Sequence, residues 1–425
     1  MAPLNTVRGS GFRAVMKVSD ARRIWLGRKG TASVGSELIR TEGSTGRILA
    51  ENVTASVDVP RFDRSAVDGY AVNAEDTFGA SPTNLISLDL MGSIPITGPA
   101  DLVVKRGEAV EVTTGSPLPQ GCDAVVMLEY GKSEARRLEL FAQVAPCENV
   151  TRRGDDIRRG ALLFEKGHRV IPTDIGVLKA VGKDYIAVAK RPRVALFSTG
   201  DELVEKLEEA SDYQIVNVNG PILAALVREA GGIPVELGIT RDDEAEIKRK
   251  IQEAHSSADL IAITGGTSVG PKDTLPEVIR SFQRSGITVH GIAMRPGMPT
   301  ALGYLDGKPL VVAPGNPVAA VIAFLIFIKP QIALMMGSHP EEPPRIPATL
   351  NRRVATRAGF RYFVRVHVSK KDGEYRADPV MTLGSGILSS MARANGILEV
   401  PEEREGYEAG ESVAVTVYRS LLGGE

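Results

Sequence analysis

Paired glycines after an apolar run are the residues of this chain best suited to holding a phosphate. Gly265 and Gly266 follow the run 260–263 and precede a predicted helix. Glycines let backbone N–H groups approach an anion closely, and a helix N-terminus adds its positive dipole end. Ser268 adds a hydroxyl and Asp273 a carboxylate, which suits a divalent cation bridging protein and phosphate. The alternative is a turn without ligand, because P-loop and Rossmann spacing are absent.

Acidic side chains follow three predicted strands of the same region. Glu202, Asp242 and Asp273 each come shortly after an apolar run. Taken singly, Glu202 could be part of a solvated turn and Asp242 a helix N-cap. Together they would meet at the carboxyl edge of a parallel sheet, where ligands of such sheets bind. Converging carboxylates need a cation, and Mg²⁺ prefers hard oxygen ligands.

Residues 193–337 alternate strand and helix patterns. The predicted strands are 193–197, 234–238, 260–263, 289–293 and 309–312, and the predicted helices are 221–229, 242–254 and 274–282. Such alternation predicts a parallel, doubly wound sheet with helices on both faces. Asp306 and Gly307 have the residue types of a hairpin turn.

A proline-glycine-asparagine-proline segment precedes the longest apolar run. Asn316 suits a helix N-cap and Pro317 the first helical turn, so a helix start just after Pro314 would direct its free backbone N–H groups outward from the sheet. The run 318–328 is shorter than the roughly 20 residues of a membrane span and predicts a buried helix.

The remaining chain reads mainly as β structure. Residues 18–26 have an amphipathic helical pattern, and 36–40 have a shorter helical pattern. Short β-type runs between 50 and 140 predict one or two small β modules, and 349–421 predicts a C-terminal barrel or sandwich.

Composition excludes several classes of protein. The 425 residues are enough for two to four domains, and 51 basic against 52 acidic residues leave a formal charge of −1. This near-neutral net charge indicates neither nucleic acid nor a membrane surface as a partner. Cys122 and Cys147 cannot form a disulfide scaffold, no Cys/His group has zinc spacing, and the first 17 residues lack a signal-peptide core. A cytoplasmic location is expected.

Ordered motifs over more than 300 residues carry a resemblance to a known family. They are FDRSAVDGYA at 62–71, TGSPLP at 114–119, RGDDI at 153–157, STGDEL at 198–203, the glycine segment 265–270 with Asp273, PGNP at 314–317, GSG at 384–386 and ANG at 394–396. Together they resemble the molybdopterin molybdenumtransferase family, MoeA, which includes the E domain of gephyrin.

The resemblance implies a multidomain α+β fold in an elongated homodimer. Domain I would be discontinuous (1–55 and 143–190), domain II a β-rich insertion (56–142), domain III a central doubly wound, MogA-like α/β unit (191–338), and domain IV a C-terminal β-barrel (339–425).

The resemblance also implies the last step of molybdenum cofactor synthesis. Adenylylated molybdopterin is cleaved, molybdate is inserted at the dithiolene, and AMP leaves. Asp242 and Asp273 would bind Mg²⁺, Glu202 would help hold the nucleotide, and Ser268 would contact the ligand. The other implied substrate-binding residues are Gly265, Gly266, Pro314, Asn316 and Pro317, with Thr114, Asp63 and Asp156 acting from the neighbouring subunit. Molybdopterin adenylyltransferase and molybdoenzyme acceptors are implied partners.

The molybdate pocket departs from the family pattern. The family's Lys-Pro-Gly-Lys-Pro segment begins here at Arg295 and has Met298 at its second lysine, and Ala319 replaces a serine. Methionine supplies neither charge nor a strong hydrogen-bond donor. The contacts retained for molybdate would be Arg295, Pro299, Arg365 and Ser385. Two alternatives follow: a tungstate-preferring paralogue, and a non-catalytic pterin-binding or scaffold protein.

Overall fold

The chain folds into two compact units. The computed structural model describes residues 15–27, 33–98, 101–266, 275–282, 284–340, 342–381 and 386–419. Unit 1 contains Met1–Glu37, Gly46–Ala50 and Val188–Glu425, and unit 2 contains Leu38–Thr45 and Glu51–Ala187. The division into four domains stays a prediction.

The helices are short except in the middle of the chain. They are α1 (Val18–Leu26), α2 (Pro172–Ala180), α3 (Asn219–Glu229), α4 (Glu244–Ser257), α5 (Leu275–Ser281), α6 (Pro317–Ala323), α7 (Lys329–Met335) and α8 (Ser389–Arg393). Single 3₁₀ turns occupy Thr41–Gly43, Ala74–Thr77, Leu128–Tyr130 and Leu207–Glu209.

Strands occur in three stretches of the chain. The first holds β1 (Ser36–Arg40), β2 (Val53–Thr54), β3 (Arg64–Ser65), β4 (Gly69–Val72), β5 (Ile86–Ile94), β6 (Glu108–Val112), β7 (Ala124–Met127), β8 (Gly131–Glu134), β9 (Arg137–Leu140), β10 (Val150–Thr151), β11 (Leu162–Phe164) and β12 (Tyr185–Ala189). The second holds β13 (Arg193–Thr199), β14 (Leu203–Val204), β15 (Ile215–Val216), β16 (Ile233–Thr240), β17 (Leu260–Thr264), β18 (Ser285–His290), β19 (Met294–Arg295), β20 (Ala301–Leu305) and β21 (Lys308–Ala313). The third holds β22 (Arg345–Leu350), β23 (Val354–Ala355), β24 (Arg361–Lys371), β25 (Glu374–Met381), β26 (Gly396–Val400), β27 (Gly406–Tyr407) and β28 (Ser412–Val417).

A six-stranded sheet forms the centre of unit 1, in the order β16-β13-β17-β21-β20-β18. The first four strands are parallel, and β20 runs antiparallel to both of its neighbours. Successive side chains of β13 point to opposite faces of the sheet. Val194 packs in a hydrophobic cluster with α3 and α6, and Ala195 packs in a second cluster with α4 and α5. Helices therefore cover both faces, and the predicted doubly wound α/β domain is confirmed.

The predicted hairpin turn joins β20 to β21. Asp306 has φ of 48° and Gly307 has φ of 84°, and the flanking strands pair from Leu305 with Lys308 onward. Two positive φ values are typical of the turn whose twist matches a hairpin.

The apolar run after Pro317 continues as one helical stretch to Met335, because a π-helical segment, Phe324–Ile328, joins α6 to α7. Its 19 residues are apolar enough to cross a membrane by length and composition, but 72% of its most apolar 18-residue window is buried inside the fold. Trp25 of α1 packs here, and its Nε1 donates to Phe327 O at 3.0 Å. The stretch is a core helix, as predicted, and longer than the run 318–328.

The C-terminal strands close into a barrel. The order β24-β25-β22-β28-β26 returns to β24, and β19 pairs with the first two residues of β24. Alternate residues of β24, such as Val364, Val366 and Val368, point into the barrel core. The C-terminal β-barrel is therefore confirmed, and β19 connects it to the region of Arg295.

Unit 2 is built around a second sheet, β7-β4-β6-β5-β9-β8. Its strands β6 and β7 match the β-type runs seen in the sequence. Apolar side chains such as Val72, Ala109 and Leu138 form its core.

Two predicted elements are wrong. Residues 36–40 form strand β1 instead of a helix, because four of the five side chains are exposed and no buried helical stripe exists there. The strand predicted at 289–293 lies earlier, at Ser285–His290, because its pairing with β20 fixes the register. Strand β20 was not predicted.

The two cysteines of unit 2 differ in environment. Burial, together with the nearby carboxylates of Asp123 and Asp76, raises the pKa of Cys122 to about 12. Cys147 is half-buried, and its sulfur accepts a hydrogen bond from Arg152.

We expect iodoacetamide at pH 8 to modify Cys147 in the native protein and to leave Cys122 unmodified, because the thiolate is the nucleophile. Mass spectrometry of the labelled protein measures this, and labelling in urea is the control in which both react. Equal native labelling of the two would contradict the assignment.

Candidate active site

The glycine pair ends β17 in a conformation that other residues rarely adopt. Gly265 has φ of +94° and Gly266 has φ of +59°. A Cβ on Gly265 would lie 2.3 Å from the carbonyl oxygen of Thr199, at the end of β13. Gly265 N also donates to Ala313 O of β21 at 3.1 Å. The close approach of three strand ends therefore requires glycine here.

Carboxylates gather beside this turn at the ends of β13 and β16. Asp242 Oδ1 accepts from Thr199 Oγ1 at 2.5 Å, and Asp242 N donates to Asp201 Oδ1 at 3.2 Å. The Glu202 carboxylate folds back over Gly200, since a Cβ on Gly200 would lie 2.7 Å from Glu202 Oε2. Glu202 and Asp242 thus both lie next to the Thr199–Gly200 segment.

Oxygen donors of this kind suit Mg²⁺. Within the described ranges, no three His, Cys, Asp or Glu side chains are grouped as metal ligands. Asp273 and Ser268 lie outside the described residues. The donor set that the structure describes is Asp242 with Glu202 and Asp201 nearby, which fits a hard cation in ligand type.

Helices α3 and α4 begin at this edge with their first turns already capped. Asp243 caps α4 by accepting from Glu246 N at 2.9 Å, so Asp242 is not the cap. Asn217 Oδ1 accepts from Gly220 N at 3.2 Å at the start of α3.

Helix α6 begins differently. Asn316 is its N-cap residue, as predicted, but its side chain makes no capping bond, and Pro317 takes the first helical position. Gly315 faces the glycine turn, because a Cβ on it would lie 3.8 Å from Gly265 Cα. Pro314 and its neighbours therefore adjoin Gly265 at the carboxyl end of β21.

A buried polar network supports the turn from below. Ser198 Oγ donates to Asn217 Oδ1 at 2.9 Å and lies 2.8 Å from Thr264 Oγ1. Asn219 Nδ2 donates to Gly315 O at 2.7 Å. The network connects the ends of β13 and β17, the start of α3 and the turn before α6.

Two of the predicted molybdate residues lie at the barrel strand β24: Arg365 is part of that strand, and Arg295 is part of β19, which pairs with it. Arg295 is exposed, pairs opposite Tyr362 of β24, and holds its guanidinium 4.8 Å from the Phe360 ring centre. Arg365 lies three residues further along, about 10 Å at the usual strand rise. Met298 and Pro299 follow Arg295 and are half-buried.

Arg365 differs from Arg295 in being buried. It is 2% exposed, and its Nε donates to Ser390 Oγ at 3.2 Å. Burial lowers the pKa of Arg365 from its usual value. Ser385 lies outside the described residues.

The remaining predicted residues belong to unit 2. Asp63 Oδ1 accepts from Arg153 N at 2.7 Å, and both residues line an open groove of about 690 Å³. Its other walls are Arg61, Phe62, Ile96, Thr97, Gly98, Pro117 and Leu118. Asp156 is exposed three residues beyond Arg153.

Thr114 is held by an aspartate that the sequence did not suggest. Its N and Oγ1 both donate to Asp68 Oδ1, at 2.6 and 2.9 Å. These two hydrogen bonds lower the pKa of Asp68. Asp68 thereby fixes the orientation of Thr114.

Family models cover most of the chain. The MoeA N-terminal region (domain I and II) matches residues 16–182, a probable molybdopterin binding domain matches 195–334, and the MoeA C-terminal region (domain IV) matches 347–418. A Methanocaldococcus jannaschii relative is 36% identical, over 87% of this chain and 89% of its own.

The chain belongs to the MoeA family.

Named relatives agree with this assignment. The molybdopterin molybdenumtransferase of Staphylococcus epidermidis is 32% identical over 90% of this chain and 91% of its own. The crystal structure of the molybdopterin biosynthesis moeA protein from Pyrococcus horikoshii is 31% identical, with a TM-score of 0.83 over 95% of this chain and 100% of its own. The predicted family and enzyme class are confirmed.

Several residues of this MoeA site were missed at the level of sequence. Thr199, Asn219 and Asp68 each make a hydrogen bond that positions a predicted residue or its turn. A signal existed for Thr199, which belongs to the polar turn after β13, and for Asp68, which lies in the motif at 62–71. None existed for Asn219, whose partner is 96 residues away.

Proposed function

We propose that this chain is a cytoplasmic, homodimeric transferase that inserts molybdate into adenylylated molybdopterin and releases AMP, with Mg²⁺. The observation that carries the proposal is the carboxyl edge of the central sheet, where Gly265 adjoins Thr199, whose hydroxyl donates to the Asp242 carboxylate. A phosphate on the glycine turn would then lie near the Asp242 carboxylate, which could bind a cation.

Magnesium would neutralise charge on the adenylyl phosphate when bound. Asp242 would hold it, together with Asp273 as the family resemblance implies. Thr199 and the Asp201 carboxylate fix the orientation of Asp242 through the two hydrogen bonds described above. Glu202 would hold the nucleotide.

The proposed dimer rests on the groove in unit 2. Asp63 and Arg153 line it, Asp156 follows Arg153, and Asp68 orients Thr114. Because the groove combines exposed Phe62 and Ile96 with arginines, its chemistry suits an aromatic anion such as a nucleotide. We propose that the groove of the partner subunit contacts the substrate bound by this subunit.

The source of the substrate and the destination of the product suggest two further partner proteins. Adenylylated molybdopterin would come from a molybdopterin adenylyltransferase, and the finished cofactor would pass to apo-molybdoenzymes. Nucleic acid and membranes are not part of the proposal.

Met298→Lys tests the oxyanion end of the site. We expect the affinity for molybdate to rise about tenfold, since a charge-assisted hydrogen bond typically contributes about 1.5 to 3 kcal/mol. Calorimetric titration with molybdate measures this, and Met298→Leu is the uncharged control. Unchanged affinity in the lysine variant would place the oxyanion away from residue 298.

The two alternatives have distinct outcomes in the same titration. Tighter binding of tungstate than of molybdate to the wild type would favour a tungstate-preferring paralogue. No oxyanion binding in the wild type, restored in Met298→Lys, would favour a pterin carrier or scaffold.

The direct test is AMP release. Purified protein loaded with adenylylated molybdopterin should release AMP when both molybdate and Mg²⁺ are added. Binding of the substrate without any AMP release would overturn the proposal.

A further inference from the structure

Two arginines line the groove of unit 2, and one of them is held in a fixed orientation. Arg153 Nε donates to Asp58 Oδ2 at 2.6 Å, and its backbone N donates to Asp63 Oδ1 at 2.7 Å. The side chain of Arg61 has no hydrogen bond or ion pair with any described residue. Arg153 is therefore ordered before a ligand arrives, whereas Arg61 would have to be ordered by the ligand.

The carboxylate that holds Arg153 is itself fixed by the chain around it. Asp58 Oδ1 accepts from Arg159 N at 2.8 Å, and the Asp58 side chain is 17% exposed. The turn at Gly154 lies against it, since a Cβ on Gly154 would be 3.4 Å from Asp58 Oδ1. The hydrogen bonds from Arg159 N and from Arg153 lower the pKa of Asp58, so the acceptor is charged at neutral pH.

The far end of the Arg153 guanidinium is accessible to a ligand. The side chain is 64% exposed, and neither Nη atom makes a hydrogen bond with a described residue. Because Asp58 takes the Nε donor, the two Nη groups can donate together to two oxygens of one anion. The groove beside them also contains exposed Phe62, against which an aromatic ring can pack.

Asp58 has two opposing effects on the binding of an anion by Arg153. Its charge offsets part of the positive charge of the guanidinium, which weakens the attraction. Its hydrogen bond removes the freedom of a long side chain, so less has to be ordered when the anion binds. Water screens the charge effect at an exposed arginine, whereas it leaves the ordering effect unchanged. We therefore expect the orienting effect to dominate.

We propose that Arg153 binds a phosphate group of the substrate through its two Nη groups, and that Asp58 is the positioning residue that orients it. This inference rests on the proposed function, in which the groove of the partner subunit contacts the substrate. That substrate carries phosphate between its nucleotide and its pterin, and either half can bring phosphate to the groove. Arg61, which no described residue orients, contributes less to the contact.

Asp58→Asn tests the positioning role. The amide oxygen can still accept from Arg159 N, whereas the NH₂ group in place of Oδ2 cannot accept from Arg153 Nε. We expect the affinity for AMP or for 6-hydroxymethylpterin phosphate to fall about fivefold, the scale of ordering one long side chain. Calorimetric titration of the full-length protein with each ligand measures this. The ligand whose affinity falls identifies the half of the substrate that brings its phosphate to Arg153.

A double-mutant cycle separates positioning from a merely structural role. Arg153→Gln should weaken binding of the same ligand about tenfold, the usual size of one charge-assisted hydrogen bond. Adding Asp58→Asn to it should weaken binding no further, because no guanidinium is left to orient. Arg61→Gln is the matched control, and in that background Asp58→Asn should keep its fivefold effect.

The inference is overturned by any of four results. They are additive losses in Asp58→Asn with Arg153→Gln, a rise in affinity in Asp58→Asn, unchanged affinity for both ligands in that variant, and no binding of either ligand by the wild type.

Failure here is distinguishable from failure of the proposed function. If the wild type releases AMP with molybdate but Asp58→Asn binds both ligands normally, only the roles of Arg153 and Asp58 are wrong. If the affinity losses are found without AMP release, the phosphate contact stands and the transferase reaction does not.

Discussion

Asp242→Asn should lower the rate of molybdate-dependent AMP release at least about 100-fold, the usual scale for losing one preorganised electrostatic contact. The amide oxygen can still accept from Thr199 Oγ1, and the backbone N–H to Asp201 is unchanged. Only the charge that would hold the cation disappears. AMP release at saturating substrate, together with the thermal unfolding midpoint, measures rate and fold separately.

The neighbouring residue supplies a matched control. Asp243→Asn removes the same charge one position along, and asparagine caps a helix about as well as aspartate. This variant should keep wild-type activity. Equal activity in the two variants would show that Asp242 has no special role.

Gly265→Ala should destabilise the fold and abolish substrate binding. A Cβ would lie 2.3 Å from Thr199 O, on a residue whose φ is +94°. Overpacking and an unfavourable φ together should lower the free energy of unfolding by about 3 kcal/mol. Urea denaturation measures that loss, and AMP binding by calorimetry measures the loss of the site.

Gly286→Ala is the control for this substitution. Gly286 lies in β18 of the same sheet, has no positive φ, and a Cβ there would have no atom within 4 Å. We expect a change of at most about 0.5 kcal/mol. Similar losses in both variants would mean that the strand ends do not depend on close backbone approach at Gly265.

Elements with a strong periodic pattern were predictable from the sequence. The bounds of α1 match the amphipathic stretch, because a nine-residue helix with one buried stripe carries its own signal. The five residues at 36–40 carry no such signal, and the strand that they form is mostly exposed. Strand β20 was not predicted, because its position depends on pairing with β18 and β21.

Some residues of the candidate site were likewise predictable from the sequence and others were not. Glu202 and Asp242 were predictable because an acidic residue after a buried strand reaches the carboxyl edge of the sheet. Asn219 was not, because its role comes from a contact with Gly315, 96 residues away in the sequence. Such features depend on how segments far apart in sequence meet in space.

We propose that this chain couples oxyanion insertion to AMP release at the Gly265–Asp242 edge. A single-turnover experiment with protein loaded with adenylylated molybdopterin tests this directly. We expect about one AMP per bound substrate, together with a molybdenum-containing cofactor, only when molybdate and Mg²⁺ are both present. Substrate that stays adenylylated under those conditions would contradict it.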